Sequence, residues 1–365
     1  MARRTLIVLG AQPDPPDLTG DRPRRDYEAI IERLDADVLS PGALVSGTRR
    51  FGNGIALARI AASRASNYDA VYCDSEHIGF PLAYLLARRA KRPRLTMIAH
   101  RLTPAKKRLT VRALRLQRKI DRIILHSPAQ VTLANSLGFP PAAVELVAYQ
   151  ADADFWRADV VAQPTLISSA GQEFRDYLTM LRAVDGLAAP VRIALGSTWS
   201  TRTSNFSEAD VPSNTTIRWH SYRDLRQMYA ESRVFVMPLH DSDFQAGISS
   251  VLEAMAMSKP VIITRTKGLT GVVTGSLMRD GALHDIGEHA WDESTGMYVP
   301  AGDAAAMRAA IAWMLDHPDD AAHMGAAGRR HVEATFTLPR FAERVARIIA
   351  PDVADAIAGD ARAAS

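Results

Sequence analysis

A single cysteine, Cys73, stands in a chain of 365 residues, so no intrachain disulfide can form. That scarcity fits a reducing compartment, and cytoplasmic residence is the expectation. No run of about 18 uncharged apolar residues occurs, which excludes a hydrophobic membrane-spanning helix. The basic start, MARRTLIVLGAQPD, has too short an apolar run for the core of a signal peptide and reads as a first strand. Aromatic residues make up only 7% of the chain, and none interleaves with its main cationic stretch. Nucleic acid therefore ranks last among partners. No His, Cys and carboxylate grouping has metal-ligand spacing, so no metal is expected.

What is present is ordinary globular material. Hydrophobic residues account for 47%, and the length suits two domains rather than one core. The net charge of +4 is unevenly spread. Residues 1–160 hold 25 Lys and Arg against 16 Asp and Glu, roughly +9, which leaves roughly −5 for the rest. A basic first half points to an anionic partner, a membrane surface among the candidates, or simply to a soluble surface.

Short β-rich runs alternate with helical patterns throughout, the grammar of parallel α/β layers. The strands are expected at 5–9, 70–73, 95–99, 122–125 and 144–147, and again at 165–168, 191–195, 216–219, 234–237 and 261–264. Helices are expected at 26–34, 55–65, 80–90 and 106–119, then 177–187, 222–232, 250–257, 304–316 and 338–349. The joint falls at 157–164. This gives a first Rossmann-like domain over 1–158, a second over 159–336, a helix at 337–350 returning toward the first, and a tail from 351.

Residues 245–262, QAGISSVLEAMAMSKPVI, carry the most chemistry. A small-residue turn leads into a helix opening on Ser249 and Ser250, whose unpaired N–H groups suit a phosphate. Glu253 follows one turn later, where a carboxylate can accept from two vicinal hydroxyls. Ser250 and Glu253 also have the spacing of a helix capping box, which needs no ligand.

This segment resembles the donor-binding segment of the retaining nucleotide-sugar glycosyltransferases of the GT-B fold, the group 1 type. The resemblance implies two doubly wound domains facing across a cleft. One would bind an acceptor, the other a nucleoside-diphosphate sugar as substrate, with no further cofactor. It implies that Glu253 holds a ribose and that Gly247 and Ile248 offer backbone N–H groups to the sugar. The family pattern has a glutamate eight positions before Glu253, and here that position is Gln245. Either Asp241 or Asp243 supplies the carboxylate, or an amide suffices, or catalysis is lost. A silent nucleotide-sugar binder and a sugar-nucleotide epimerase stand as alternatives.

The same resemblance puts Gly171 and Arg175 on the diphosphate, Gly196 nearby, and His220, Ser221 and Tyr222 on the base-binding loop. The alternative for Arg175 is an ion pair at a helix start with Glu173 or Asp176. In the first domain His100 ends a strand, where the family contacts the donor sugar. Glu76 and His77 occupy a strand-to-helix turn that either touches acceptor or caps the helix. Gly10 opens a long Pro-rich loop, a candidate lid on the acceptor side. Catalysis is accordingly assigned to His100, Gln245 and Glu253.

Residues 106–122, from Lys106, place Arg108, Arg112, Arg115, Lys119 and Arg122 on one face of an expected helix. Leu109, Ala113, Leu116 and Ile120 form the adjoining apolar stripe. The two open readings are peripheral docking on an anionic membrane, at its inner face, and a solvated helix beside a core.

Overall fold

Strands built from Val, Ile and Leu on both faces must be covered on both faces, which favours parallel pairing under helices. The computed structural model describes residues 4–15, 17, 19–44, 52–159, 162–195, 206–286 and 293–351, and has that form. Its chain divides into two units. One comprises Met1–Leu18, Arg24–Ala148 and Leu338–Ser365, the other Thr19–Pro23 and Tyr149–Thr337.

The first unit runs β1 (Thr5–Val8), α1 (Asp26–Leu34), β2 (Asp37–Leu39), α2 (Asn53–Arg64), β3 (Ala70–Cys73), α3 (Glu76–Leu86), β4 (Arg94–Ile98), α4 (Ala105–Ala113), β5 (Arg122–Leu125), α5 (Pro128–Ser136) and β6 (Val144–Leu146). Its six strands pair in parallel in the order β2-β1-β3-β4-β5-β6. Alternate residues point to opposite faces. Leu6, Val8, Val71 and Leu95 pack with Leu57 of α2 and Leu82 of α3. Ile7, Tyr72, Ile98 and Ile124 pack instead with Ile30 of α1 and Phe341 and Val345 of the last helix, α11 (Leu338–Ile349).

The second unit runs β7 (Leu166–Ala170), α6 (Tyr177–Val184), β8 (Val191–Ala194), β9 (Thr215–Arg218), α7 (Tyr222–Ala230), β10 (Ser232–Met237), α8 (Ile248–Ala256), β11 (Val261–Thr264), β12 (Leu277–Arg279), β13 (Ala282–His284), β14 (Gly296–Val299), α9 (Ala304–Asp316) and α10 (Pro318–Thr335). The sheet order is β13-β12-β14-β11-β10-β7-β8-β9, with only β12 and β13 antiparallel. Phe235, Val261 and Ile263 face α8, while Val234, Val236 and Ile262 share a core with α6 and α9.

Three sequence expectations change. The units part at Ala148 and Tyr149, before 157–164, because Trp156 is buried in the second core and its carbonyl accepts from Arg329. The helix expected over 106–119 ends at Ala113, and Arg115 takes a left-handed conformation with φ 49°. The stripe of five cations is therefore not one helix face: Leu109 is 68% exposed, and the buried position of α4 is Val111. The third is the opening of α8, described with the site. The tail expected from 351 lies, beyond Pro351, outside the described residues. Among the described residues no helix is long and apolar enough to cross a membrane, and no group of His, Cys and carboxylates could hold a metal ion.

Candidate active site

Ligands in open parallel sheets bind beyond the carboxyl ends of the strands where the strand order reverses. In the second unit the order reverses between β7 and β10, which are paired neighbours. The loops following these two strands are stitched together. Asp176 N donates to Pro238 O at 3.1 Å, and His240 N donates to Phe174 O at 3.1 Å. The Phe174 and Phe244 rings meet edge to face at 4.9 Å.

Arg175 lies at this junction, only 8% exposed. Its Nε donates to Ala170 O at 3.0 Å and its Nη1 to Glu173 O at 2.6 Å. The ion pairs open to it in the sequence do not form. Glu173 contributes its carbonyl, and Asp176 caps α6 by accepting from Thr179 N and Oγ1. Burial pulls the Arg175 pKa down, and Tyr177, Tyr229 and Glu173 act against that shift. A desolvated guanidinium without a carboxylate is a strong receptor for an anion.

Two glycines make room for it. A Cβ on Gly171 would lie 2.3 Å from Arg175 Nη2, and one on Gly247 would lie 3.2 Å from Arg175 Nη1. Both have positive φ, 92° and 79°, where a side chain would also strain the backbone. Gly247 is the N-cap of α8, so the guanidinium lies beside the positive end of that helix. Among the described residues, the N–H groups of Ser249 and Ser250 donate to no backbone carbonyl.

The structure corrects the reading of Ser250 and Glu253 as a capping box. Because α8 opens at Ile248 behind Gly247, Ser250 lies inside the first turn. The half-buried Glu253 instead accepts from the hydroxyl of Tyr229 at 3.0 Å through Oε2. Tyr229, on α7, is fully buried; its pKa is pushed well up, by burial first and by Glu253 next. Sequence reasoning missed Tyr229, since nothing local separates it from any core tyrosine.

Gln245 is half-buried, and its Oε1 is enclosed without a hydrogen-bond partner. Its backbone carbonyl accepts from Ile248 N at 3.4 Å. Asp241 is exposed and Asp243 half-buried on the same loop. Ser221 caps α7 in a reciprocal box with Asp224. The Tyr222 ring lies 6.4 Å edge-on from Trp156. His220 Nδ1 faces Arg218 O at 3.1 Å, while its Nε2 is enclosed without a partner. Gly196 lies outside the described residues.

In the first unit the strand order reverses between β1 and β3. Gly10 and Asp74 follow these two strands, and Gly10 N donates to Asp74 Oδ2 at 2.8 Å. Among the described residues Asp74 Oδ1 is enclosed without a hydrogen-bond partner. Burial pushes the Asp74 pKa up to about 6, with Asp26 adding to the rise and the Gly10 N–H and His100 opposing it. His100, beyond β4, is exposed and its Nε2 lies 3.0 Å from Asp74 O. A carbonyl only accepts, so Nε2 carries the proton and Nδ1 is left as an acceptor in the neutral ring.

Glu76 is 2% exposed and both its oxygens are engaged. Oε1 accepts from Lys107 Nζ at 2.5 Å and Oε2 from His100 N at 3.1 Å. Burial opposes its charge, but Lys107, His100 and the hydrogen bonds together hold its pKa below the ordinary value. Glu76 thus anchors the backbone that presents His100. His77, next along α3, is exposed, and its carbonyl lies against Gly54 of α2. Asp74 was the residue missed here; its signal was its place directly after a strand at the order reversal.

Residues 178–317 match the family model of glycosyl transferases, group 1. No curated protein matches the sequence. Among solved structures, sucrose-phosphate synthase from Thermosynechococcus elongatus superposes with a TM-score of 0.67 at 15% identity, covering 100% of both chains. Trehalose 6-phosphate synthase from Burkholderia multivorans gives 0.70 at 10%, over 100% of this chain and 99% of that one. HepE from Anabaena, crystallised with UDP and glucose, gives 0.64 at 12%, over 94% and 98%. Fold and matched segment agree: the chain has the GT-B fold, with two Rossmann-like units, and residues 178–317 of the second unit match the group 1 glycosyl transferase domain.

Proposed function

We propose that this protein transfers a sugar, with retention of anomeric configuration, from a nucleoside diphosphate to an acceptor hydroxyl on a lipid, a glycan or a small molecule. The observation that carries the reading is Arg175, buried without a carboxylate between Gly171 and Gly247 at the start of α8. That pair of positive groups would bind the diphosphate and stabilise the charge that grows on it as the sugar leaves. Glu253, oriented by Tyr229, would accept from the ribose hydroxyls. Gln245 would hydrogen-bond the sugar through its amide, and His100 would contact a sugar hydroxyl. Gly10 would serve the acceptor side, together with the turn at Glu76 and His77. The reaction would take place in the cytoplasm. Peripheral contact with an anionic membrane through residues 106–122 extends the reading, since the exposed Leu109 stands among the exposed Lys106, Arg108 and Arg112.

The test is a panel of nucleoside-diphosphate sugars, followed by thermal shift, donor hydrolysis and the anomeric configuration of the product. One donor should stabilise the protein and release its diphosphate with retention. Stabilisation without turnover, across donors and acceptors, would support the second reading that Gln245 favours, a silent nucleotide-sugar binder. No response to any donor would overturn both.

A further inference from the structure

We propose that the first unit also holds an anion site for a phosphate group, in the pocket lined by Ala87, Arg92, Arg115, Arg118 and Lys119. This pocket is an open cavity of about 320 Å³. Arg92 precedes β4 and Lys119 precedes β5, whereas Gly10, Asp74 and His100 follow their strands. The pocket therefore lies at the amino ends of these parallel strands, whereas those residues lie at the carboxyl ends.

The charges there do not balance. Arg92 is neutralised by a two-pronged pair with Asp121, Nη1 to Oδ2 at 2.5 Å and Nη2 to Oδ1 at 3.0 Å. Among the described residues Lys119 has only uncharged partners: its Nζ donates to Leu114 O at 2.5 Å and lies 5.5 Å from the centre of the Tyr84 ring. Tyr84 also draws in Arg88, whose Nη2 donates to its hydroxyl at 2.8 Å. Among the described residues, the side chains of Arg115 and Arg118 make neither ion pair nor hydrogen bond. Arg115 and Arg118 are exposed, so water keeps their mutual repulsion modest, and an anion seated in the concavity would remove what remains.

The backbone supports the same conclusion. α4 stops at Ala113 and Arg115 adopts φ 49° and ψ 44°, a left-handed conformation disfavoured for a residue with a Cβ. That turn, a left-handed stop just past the C-cap of α4, brings Arg115 and Arg118 to the pocket. Guanidinium forks match phosphate oxygens in pairs, and a doubly charged phosphate monoester would offset two of the three unmatched cations. The phosphate could belong to a lipid headgroup or to a soluble molecule.

Hydrogen exchange on the full chain tests the proposal, with inorganic phosphate against chloride at matched ionic strength. A second arm uses phosphatidylcholine vesicles with and without phosphatidic acid. Phosphate, or the phosphatidic acid vesicles, should slow exchange over residues 114–120 by about threefold or more in the wild type. The same protection should persist in Arg175→Ala, which disables the other anion site, and vanish in the Arg115→Gln/Arg118→Gln variant. Ala87→Glu, which puts a carboxylate into the pocket without touching the arginines, should also abolish it. Protection by vesicles places the phosphate on a lipid; protection by free phosphate alone places it on a soluble ligand. No protection by either in the wild type, or equal protection in both pocket variants, overturns the site.

Discussion

The guanidinium of Arg175 occupies the space that a side chain at Gly171 would fill, with Nη2 2.3 Å from the position of the absent Cβ. Each residue thus explains the other, and the relationship can be measured. Arg175→Ala should weaken nucleoside diphosphate binding by about 1.5–3 kcal/mol, the scale of hydrogen bonds to a charged group. Gly171→Ala should cost a comparable amount, because it displaces the guanidinium and strains a backbone at φ 92°. The double variant should be little worse than either alone in calorimetry, since both remove one interaction. Full additivity would separate the two residues.

Glu253 and Tyr229 make a second coupled pair. Glu253→Gln should lose about tenfold in donor affinity, about 1.4 kcal/mol, with little change in the melting temperature of the free protein. Tyr229→Phe keeps the ring but removes the donor, so donor affinity should fall by about 1 kcal/mol. Since Gly247 is the N-cap, Ser250→Ala should not cost the stability of a lost helix cap. A drop of that size in Ser250→Ala, with donor binding normal in Glu253→Gln, would reinstate the capping role.

Asp74 predicts a pH dependence. Its folded pKa, pushed up to about 6, lies above the ordinary 3.8, so the fold favours the protonated form. That contribution is complete below the ordinary value and is lost as pH rises through about 6. Asp74→Asn, which keeps an acceptor for Gly10 N, should therefore gain stability relative to wild type between pH 4 and pH 7. Parallel melting curves for the two proteins across that range would contradict the shift.

Gln245 has an enclosed amide oxygen with no partner among the described residues. If that oxygen meets the transferred sugar, Gln245→Ala should lower kcat by about tenfold or more, the loss of one hydrogen bond in the transition state. The Kd for the free nucleoside diphosphate should stay the same. A matching loss in diphosphate affinity would move Gln245 from the sugar to the leaving group.

The sequence by itself determined the architecture. Runs such as VIIT at 261–264 and LIV within 6–8 are apolar on both faces, and only a sheet covered on both sides buries them. Resemblance to a family, not spacing, singled out Gly171 and Arg175, while the small-residue run before Ser249 placed a helix opening within two residues of where α8 begins. β2, β12 and β13 escaped sequence reasoning, each three residues long and partly exposed, hence without an apolar signature; β14 escaped it too, although it is fully buried, since GMYV is short and opens on a glycine. Tertiary structure decided the rest. The start of α8 is fixed by the left-handed turn at Gly247, which a pattern of S-x-x-E cannot reveal, and Tyr229 reaches Glu253 across 24 residues of chain. Likewise Gly10 meets Asp74 only because β1 and β3 are neighbours in the sheet, and α4 stops where Arg115 turns, in spite of cations that continue at helical spacing. Periodicity records which residues must be buried; which buried or polar groups then meet depends on strand order and on single backbone torsions, and neither leaves a local trace.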